Sequence, residues 1–210
     1  KSVSPAIEIV GIDKLQKDNL DQEVRRNLDY YLTVDLSQVD LAMEIINELP
    51  GRLEEIDLFI NNAGIKSFKL FEEYNDKEFL NIFQVNALTP ILYHQKLLNH
   101  LPQVKIINIA SNAAFHGYQK GTAYCSSKAA LVSFTEAILN ELKPEQRVYT
   151  LCPSSIATED VIHNTGLKNK QGLIPPERLF KLILTLMKGN KKSGVIPVIG
   201  IKQRIKYVFY

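Results

Sequence analysis

The sequence has little cysteine, almost no net charge and no long apolar run, and each shortage excludes something. Twenty-five Lys and Arg stand against 23 Asp and Glu, a net charge of +2 over 210 residues. That balance argues neither for a nucleic-acid ligand nor for a membrane surface as partner. The two cysteines, Cys125 and Cys152, form no metal-ligand spacing, so no metal site is expected. Their scarcity fits a reducing, cytoplasmic compartment. No run of about 18 apolar residues is present, so no spanning helix is expected. The opening residues, KSVSPAIEIV, lack the long apolar core of a signal peptide. Internal repeats, low-complexity tracts and interdomain linkers are absent. So are a G-x-S-x-G elbow and the matched acid–His pair of a serine hydrolase. What is present, 45% apolar and 23% charged residues, makes a core for a single domain over residues 1–210.

Short apolar runs alternate with longer amphipathic ones. IEIVGID (7–13), LDYYLTVDLS (28–37), IDLFINNAG (56–64), VKIINIAS (104–111), RVYTLCP (147–153) and GVIPVIG (194–200) read as strands. VDLAMEIINEL, closed by Pro50-Gly51, reads as a helix, and a further helix starts at Pro175-Pro176 with Leu179, Ile183 and Leu186 inside. Asn75 and Glu78 have the spacing of a capping box. It opens a long helix with Phe79, Ile82, Phe83, Asn86 and Pro90 on one face. Residues 14–27 are polar and read as loop with some helix; residues 154–173 read as a loop or lid. The tail IKQRIKYVFY reads as a packed end segment, with a membrane-surface or partner-binding role as the alternative. Nearly all-apolar strands alternating with helices predict an α/β fold, a doubly wound, mostly parallel sheet. Ligands in such sheets bind at the carboxyl ends of the strands. Asp13, Asp35, Asn61 to Gly64, Ser111 and Pro153 all fall there.

The stretch SNAAFHGYQKGTAYCSSK (111–128) carries the chemistry. GTAYCSSKAALVSFTEAILNELK reads as a helix with Leu131, Phe134, Ile138 and Leu142 on one face. Tyr124 and Lys128 then lie one turn apart on the same side. An adjacent ammonium favours the phenolate and lowers the Tyr pKa, making it a proton donor and acceptor at neutral pH. The same spacing also suits an ordinary amphipathic helix with a half-buried Tyr and a solvated Lys. Asn86, on an apolar helix face, needs a buried partner, which backbone alone could supply.

Taken together these residues resemble the short-chain dehydrogenase/reductases, in their single-domain form, from Ile7 to about Gly200. Asn61-Asn62-Ala63-Gly64 matches the family's NNAG. Asn86, Ser111, Tyr124 and Lys128 match its Asn-Ser-Tyr-Lys tetrad, with gaps of 25, 13 and 4 residues. Pro153 to Thr158 matches its Pro-Gly-x-Ile/Val-x-Thr. The resemblance implies an NAD(P)-dependent oxidoreductase interconverting an alcohol and a ketone or aldehyde. Tyr124 would be the general acid or base. Lys128 would hold the nicotinamide ribose and lower the pKa of Tyr124, and Ser111 would bond the substrate carbonyl. Asn86 would place a water in a proton relay. Thr158, the Ile156 backbone and Pro153 would hold the nicotinamide end; Asp35, Leu36, Asn62, Ala63 and Gly64 would line the rest of the cofactor site. Asp13 would accept from both ribose hydroxyls and favour NAD over NADP, while Lys14 beside it could meet a phosphate. A small-molecule substrate and a homodimer or homotetramer are implied too. The alternative reading is a non-catalytic dinucleotide-sensing or scaffold protein on this fold.

The sequence departs from the family in three places. The family's first strand and its Thr-Gly-x-x-x-Gly-x-Gly loop have no counterpart; Gly117-x-x-x-Gly121 is the nearest pattern and lies elsewhere. Their absence would split the sheet in two. The expectation is that about 25–30 residues are missing ahead of Lys1; the alternative is a member that has lost cofactor binding. Ser154 replaces the family's Gly after Pro153, and the usual double Gly after the last strand is absent. His116 and Tyr118 could line a substrate pocket or be solvated. His163, Lys168 and Lys170, in the expected lid, could meet an acidic substrate or simply face solvent.

Overall fold

Runs of β-branched and aromatic residues make six short strands: Val10–Asp13 (β1), Tyr30–Thr33 (β2), Leu58–Asn61 (β3), Lys105–Ile109 (β4), Arg147–Pro153 (β5) and Gly194–Val198 (β6). Among the described residues, six α-helices lie between them: Gln22–Asn27 (α1), Val39–Arg52 (α2), Asp76–Phe83 (α3), Thr89–His100 (α4), Thr122–Ile138 (α5) and Pro176–Lys188 (α6). The computed structural model describes residues 8–52, 56–101, 103–158, 173–189 and 191–198. Most of the expected lid, with His163, Lys168 and Lys170, and the tail from 199 lie outside the described residues, as does Ile7.

Every described ladder is parallel, as the apolar strands predict. The fold is the expected Rossmann-like α/β arrangement. Among the described residues the strands form two sheets, β1-β2 and β3-β4-β5-β6. One apolar core joins them. Val34 and its neighbours Ile12 and Leu32 meet Ile106, Val148 and Phe59 across Ala42, Ile46 and Leu49 of α2 and Tyr93 and Leu97 of α4. A second core packs Leu186, with Leu179 and Ile183 of α6, on Ile107, Tyr149 and Leu151. No described helix is long and apolar enough to cross a membrane.

The elements differ from the sequence reading in several details. The strand expected over 56–64 ends at Asn61, leaving the following loop irregular. The helix expected to reach Lys143 ends at Ile138. The long helix is α3 and α4 joined by a wider, π-type turn, Gln84–Leu88, in which Thr89 N–H bonds Gln84 C=O. Pro90 explains the widening: it has no N–H to give the carbonyl four residues back, that of Asn86. Asn75 caps α3 as expected, accepting from Glu78 N–H at 2.9 Å. Glu78 does not complete the box; its carboxylate takes the Lys69 ammonium and the Ser67 hydroxyl instead.

Candidate active site

Tyr124 sits in the first turn of α5, and Lys128 follows one turn later; both are buried. Ser111, just past the end of β4, is extended (φ −166°) and caps the short turn Asn112–Ala114 by accepting from Ala113 N–H at 3.1 Å. A strand end and a helix start thus bring the three side chains together, and Ser111 hydrogen-bonds the Tyr124 phenol. Burial raises the Tyr124 pKa above the ordinary tyrosine value, and the Ser111 bond opposes it. This corrects the expectation that Lys128 depresses it. Depth of burial decides the sign; Lys128 is itself pushed down to about 8 by burial, and its ammonium donates to the Ile109 carbonyl at 2.8 Å.

Asn86 lies in the widened turn, between buried Val85 and Ala87. Its Nδ2 donates to Ile65 C=O and to Ser127 Oγ, both at 2.9 Å, and its Oδ1 accepts from Ile65 N–H at 2.7 Å. Both amide protons are therefore used. The side chain clamps the loop after β3. Gly64, in that loop, is there for close approach: a Cβ would lie 3.3 Å from Asn86 Oδ1 and 3.4 Å from Lys128 Nζ.

The residues assigned to a cofactor divide between the two sheets. Asp13 ends β1 and accepts from Leu15 N–H at 3.0 Å. Asp35 follows β2; the Ser37 N–H at 2.9 Å holds its pKa below the usual carboxylate value, and Lys14 helps. Leu36 C=O accepts from Thr89 Oγ1 at 2.8 Å, tying this end to α4. On the other sheet, Asn62 and Gly64 are exposed and Ala63 half-buried. Pro153 ends β5 beside Val198. Ile156 bridges to Ile174, and Thr158 N–H bonds Ile156 C=O at 2.8 Å. Ser154 is buried with a hydroxyl that has no partner among the described residues.

Sequence reasoning did not single out Ser127, Asn108, His94, Thr135 or Thr150. Asn108 had a readable signal, an amide inside the apolar run KIINI. Among the described residues no group of three or more His, Cys, Asp or Glu could hold a metal.

A model of the short chain dehydrogenases matches residues 8–166. An 11-beta-hydroxysteroid dehydrogenase-like protein of Arabidopsis thaliana is 33% identical over 125 residues, 58% of this chain and 42% of the relative. The 2-dehydro-3-deoxy-D-gluconate 5-dehydrogenase of Escherichia coli is 27% identical over 73% of this chain and 63% of the relative. An alcohol dehydrogenase from Thermococcus sibiricus, complexed with 5-hydroxy-NADP, superposes with a TM-score of 0.78 at 20% identity, covering 95% of this chain and 88% of that one. The match spans about half the length of the first curated relatives, 42% to 56% of each.

Proposed function

The chain belongs to the short-chain dehydrogenase/reductases, a family of oxidoreductases, and we propose that it interconverts an alcohol and a ketone or aldehyde by hydride transfer with a nicotinamide dinucleotide. The observation that carries this is the convergence of Ser111, Tyr124 and Lys128 at the carboxyl end of β4.

The residues present fit a dinucleotide. Gly64 keeps Cβ-sized space open against Lys128, and the Ser154 hydroxyl is buried with no partner among the described residues. Asp13 would take the adenosine ribose hydroxyls and Asp35 and Leu36 the adenine end. Asn62, Ala63 and Gly64 would line the middle, and Pro153, Ile156 and Thr158 the nicotinamide end. The acid at Asp13 favours NAD over NADP. When bound, the nicotinamide supplies or accepts the hydride.

The protein's own part is proton handling and position. Ser111 donates to the substrate oxygen and orients it. Tyr124 holds its proton at neutral pH, as a general acid for reduction requires, and gives it to that oxygen. Lys128 would turn from the Ile109 carbonyl toward the cofactor ribose and stabilise the phenolate left on Tyr124. Asn86 acts one step back, holding the loop that borders Lys128.

The test is Tyr124→Phe in an NADH and NADPH oxidation assay over a panel of ketones and aldehydes. Loss of turnover by about 100-fold or more, with cofactor affinity retained, supports the reading. Full activity of the variant in a cellular assay would favour a dinucleotide sensor or scaffold instead. The homodimer or homotetramer is part of the proposal and is read by sedimentation.

A further inference from the structure

The loop after β3 alternates in exposure: Asn62, Gly64, Lys66, Phe68 and Leu70 are exposed, and Ala63, Ile65, Ser67 and Lys69 are less so. Both flanks of Lys66 touch the proposed catalytic pair: a Cβ on Gly64 would meet the Lys128 ammonium, and the Phe68 ring lies 5.9 Å from that of Tyr124. Lys66, itself exposed, stands in the chain between these two contacts. Its root is rigid, because Asn86 bonds both the N–H and the C=O of Ile65.

The two lysines of this loop are treated differently. Lys69 is paired with Glu78 and lies 4.9 Å from the centroid of the Tyr74 ring. Lys66 has no carboxylate partner among the described residues, and its charge acts on Lys128. Two ammonium groups thus act on one another beside Tyr124, a local excess that an anion would relieve. Phe68, 55% exposed and against the Tyr124 ring, provides apolar surface there for a carbon skeleton. A single unpaired ammonium matches a monoanion; a phosphate, at about −1.5 to −2, calls for a fork of donors that no arginine supplies here.

We propose that Lys66 is a specificity-determining residue that binds a carboxylate on the substrate, so that the enzyme acts on hydroxy and oxo acids in preference to neutral alcohols and ketones. This substrate class rests on the oxidoreductase reading above. Lys66 takes no part in the proton transfer; it sets which molecules present their oxygen to Tyr124 and Ser111.

Calorimetric binding of 3-phenylpropionate and its neutral amide, 3-phenylpropionamide, tests the assignment with and without NADH. The acid is expected to bind wild type about tenfold or more tightly than the amide, as a charge-assisted bond predicts. Lys66→Met should bring the ratio to about one by weakening the acid alone, and Lys66→Arg should restore part of it. The assignment is overturned by a wild-type ratio near one, by no acid binding up to about 10 mM, or by a ratio that Lys66→Met leaves unchanged. Failure of both NADH and NADPH to bind would sink the oxidoreductase reading separately. The acid-to-amide ratio of the free protein would then still show whether Lys66 binds a carboxylate.

Discussion

Asn108 interrupts the buried strand β4, and every position of its amide is used. Its Nδ2 donates to Thr150 Oγ1 at 3.0 Å and to His94 Nε2 at 3.2 Å, and its Oδ1 accepts from Asn61 Nδ2 at 2.8 Å. The line continues: Thr135 Oγ1 donates to Leu131 C=O, so Thr150 Oγ1 must donate to Thr135 Oγ1, 2.7 Å away. His94 Nδ1 lies 2.7 Å from the Pro90 carbonyl, so the neutral ring carries its proton there and accepts from Asn108 with the other nitrogen. Protonating His94 would set N–H against N–H inside a buried network. Burial holds His94 at about 4, below its ordinary 6.5. The unfolded chain therefore takes up the proton first as pH falls, and stability present above pH 6.5 is lost down to about pH 4, by roughly 3 kcal/mol. Thermal melts across that window should show the loss, and His94→Gln should flatten it. An unchanged slope in the variant would move the cause elsewhere, since Asp35, held below its ordinary value, acts at lower pH. Lys128 is a second buried titrating group. Its pKa of about 8 lies below that of an unfolded lysine, so stability rises with pH between about 8 and 10.5. At pH 7 its buried charge costs stability. Lys128→Met is expected to raise the melting point, by the equivalent of about 1–3 kcal/mol, while abolishing turnover. A lower melting point would show that the Ile109 bond outweighs burial of the charge.

At the scale of elements, the widened turn between α3 and α4 decides where Asn86 points. A regular helix would bury residues three and four apart; here Val85, Asn86 and Ala87 are buried in succession. Pro90→Ala would restore an N–H to the Asn86 carbonyl and let the run close into ordinary α-helix. The expected result is a fold as stable or more so, by up to about 3 kcal/mol, with kcat lowered about tenfold or more because the loop bordering Lys128 shifts. Wild-type kcat in the variant would remove the turn from the mechanism. This offset also marks the limit of what the sequence shows. The presence and order of the strands, the Asn75 cap and the Tyr124–Lys128 turn were legible because each depends on local pattern and spacing. The one-residue slip was not, since three- and four-residue periodicity looks alike on either side of it. Nor was the diversion of Glu78 to Lys69, a competition between two local partners. The buried polar line needs Asn61 opposite Asn108 and Asn108 opposite Thr150, a register set by tertiary pairing of three distant strands. The upward shift of Tyr124 escaped for a related reason: spacing placed Lys128 beside it, but depth of burial decides the sign.

Over the whole molecule, the two sheets share no hydrogen-bonded strand among the described residues, so side-chain packing through α2 and α4, with the Thr89–Leu36 hydrogen bond, couples them. Packing of this kind is non-directional, and it leaves β1 and β2, none of whose residues is fully buried, more open than β4 and β5. Local openings should follow the same order. Amides of β1 and β2 are expected to exchange with solvent hydrogen through openings of lower free energy than those of β4 and β5. Ile46→Ala, which empties a fully buried site at the joint, should cost about 2–5 kcal/mol and lower the β1–β2 protection first. The residues proposed for the cofactor divide along the same line, with Asp13, Asp35 and Leu36 on one sheet and Gly64, Lys128, Ile156 and Thr158 on the other. A dinucleotide held at both ends would add a tie that the packing lacks, and any opening that separates the sheets would have to release it. At a free NADH concentration of 100 times its Kd, such openings become harder by about 2.7 kcal/mol. Hydrogen exchange should therefore show β1 and β2 gaining protection of that size, approaching β4 and β5. If NADH protects β4 and β5 while β1 and β2 exchange as before, the adenine-end assignments of Asp13, Asp35 and Leu36 are wrong, and only the nicotinamide end of the site survives.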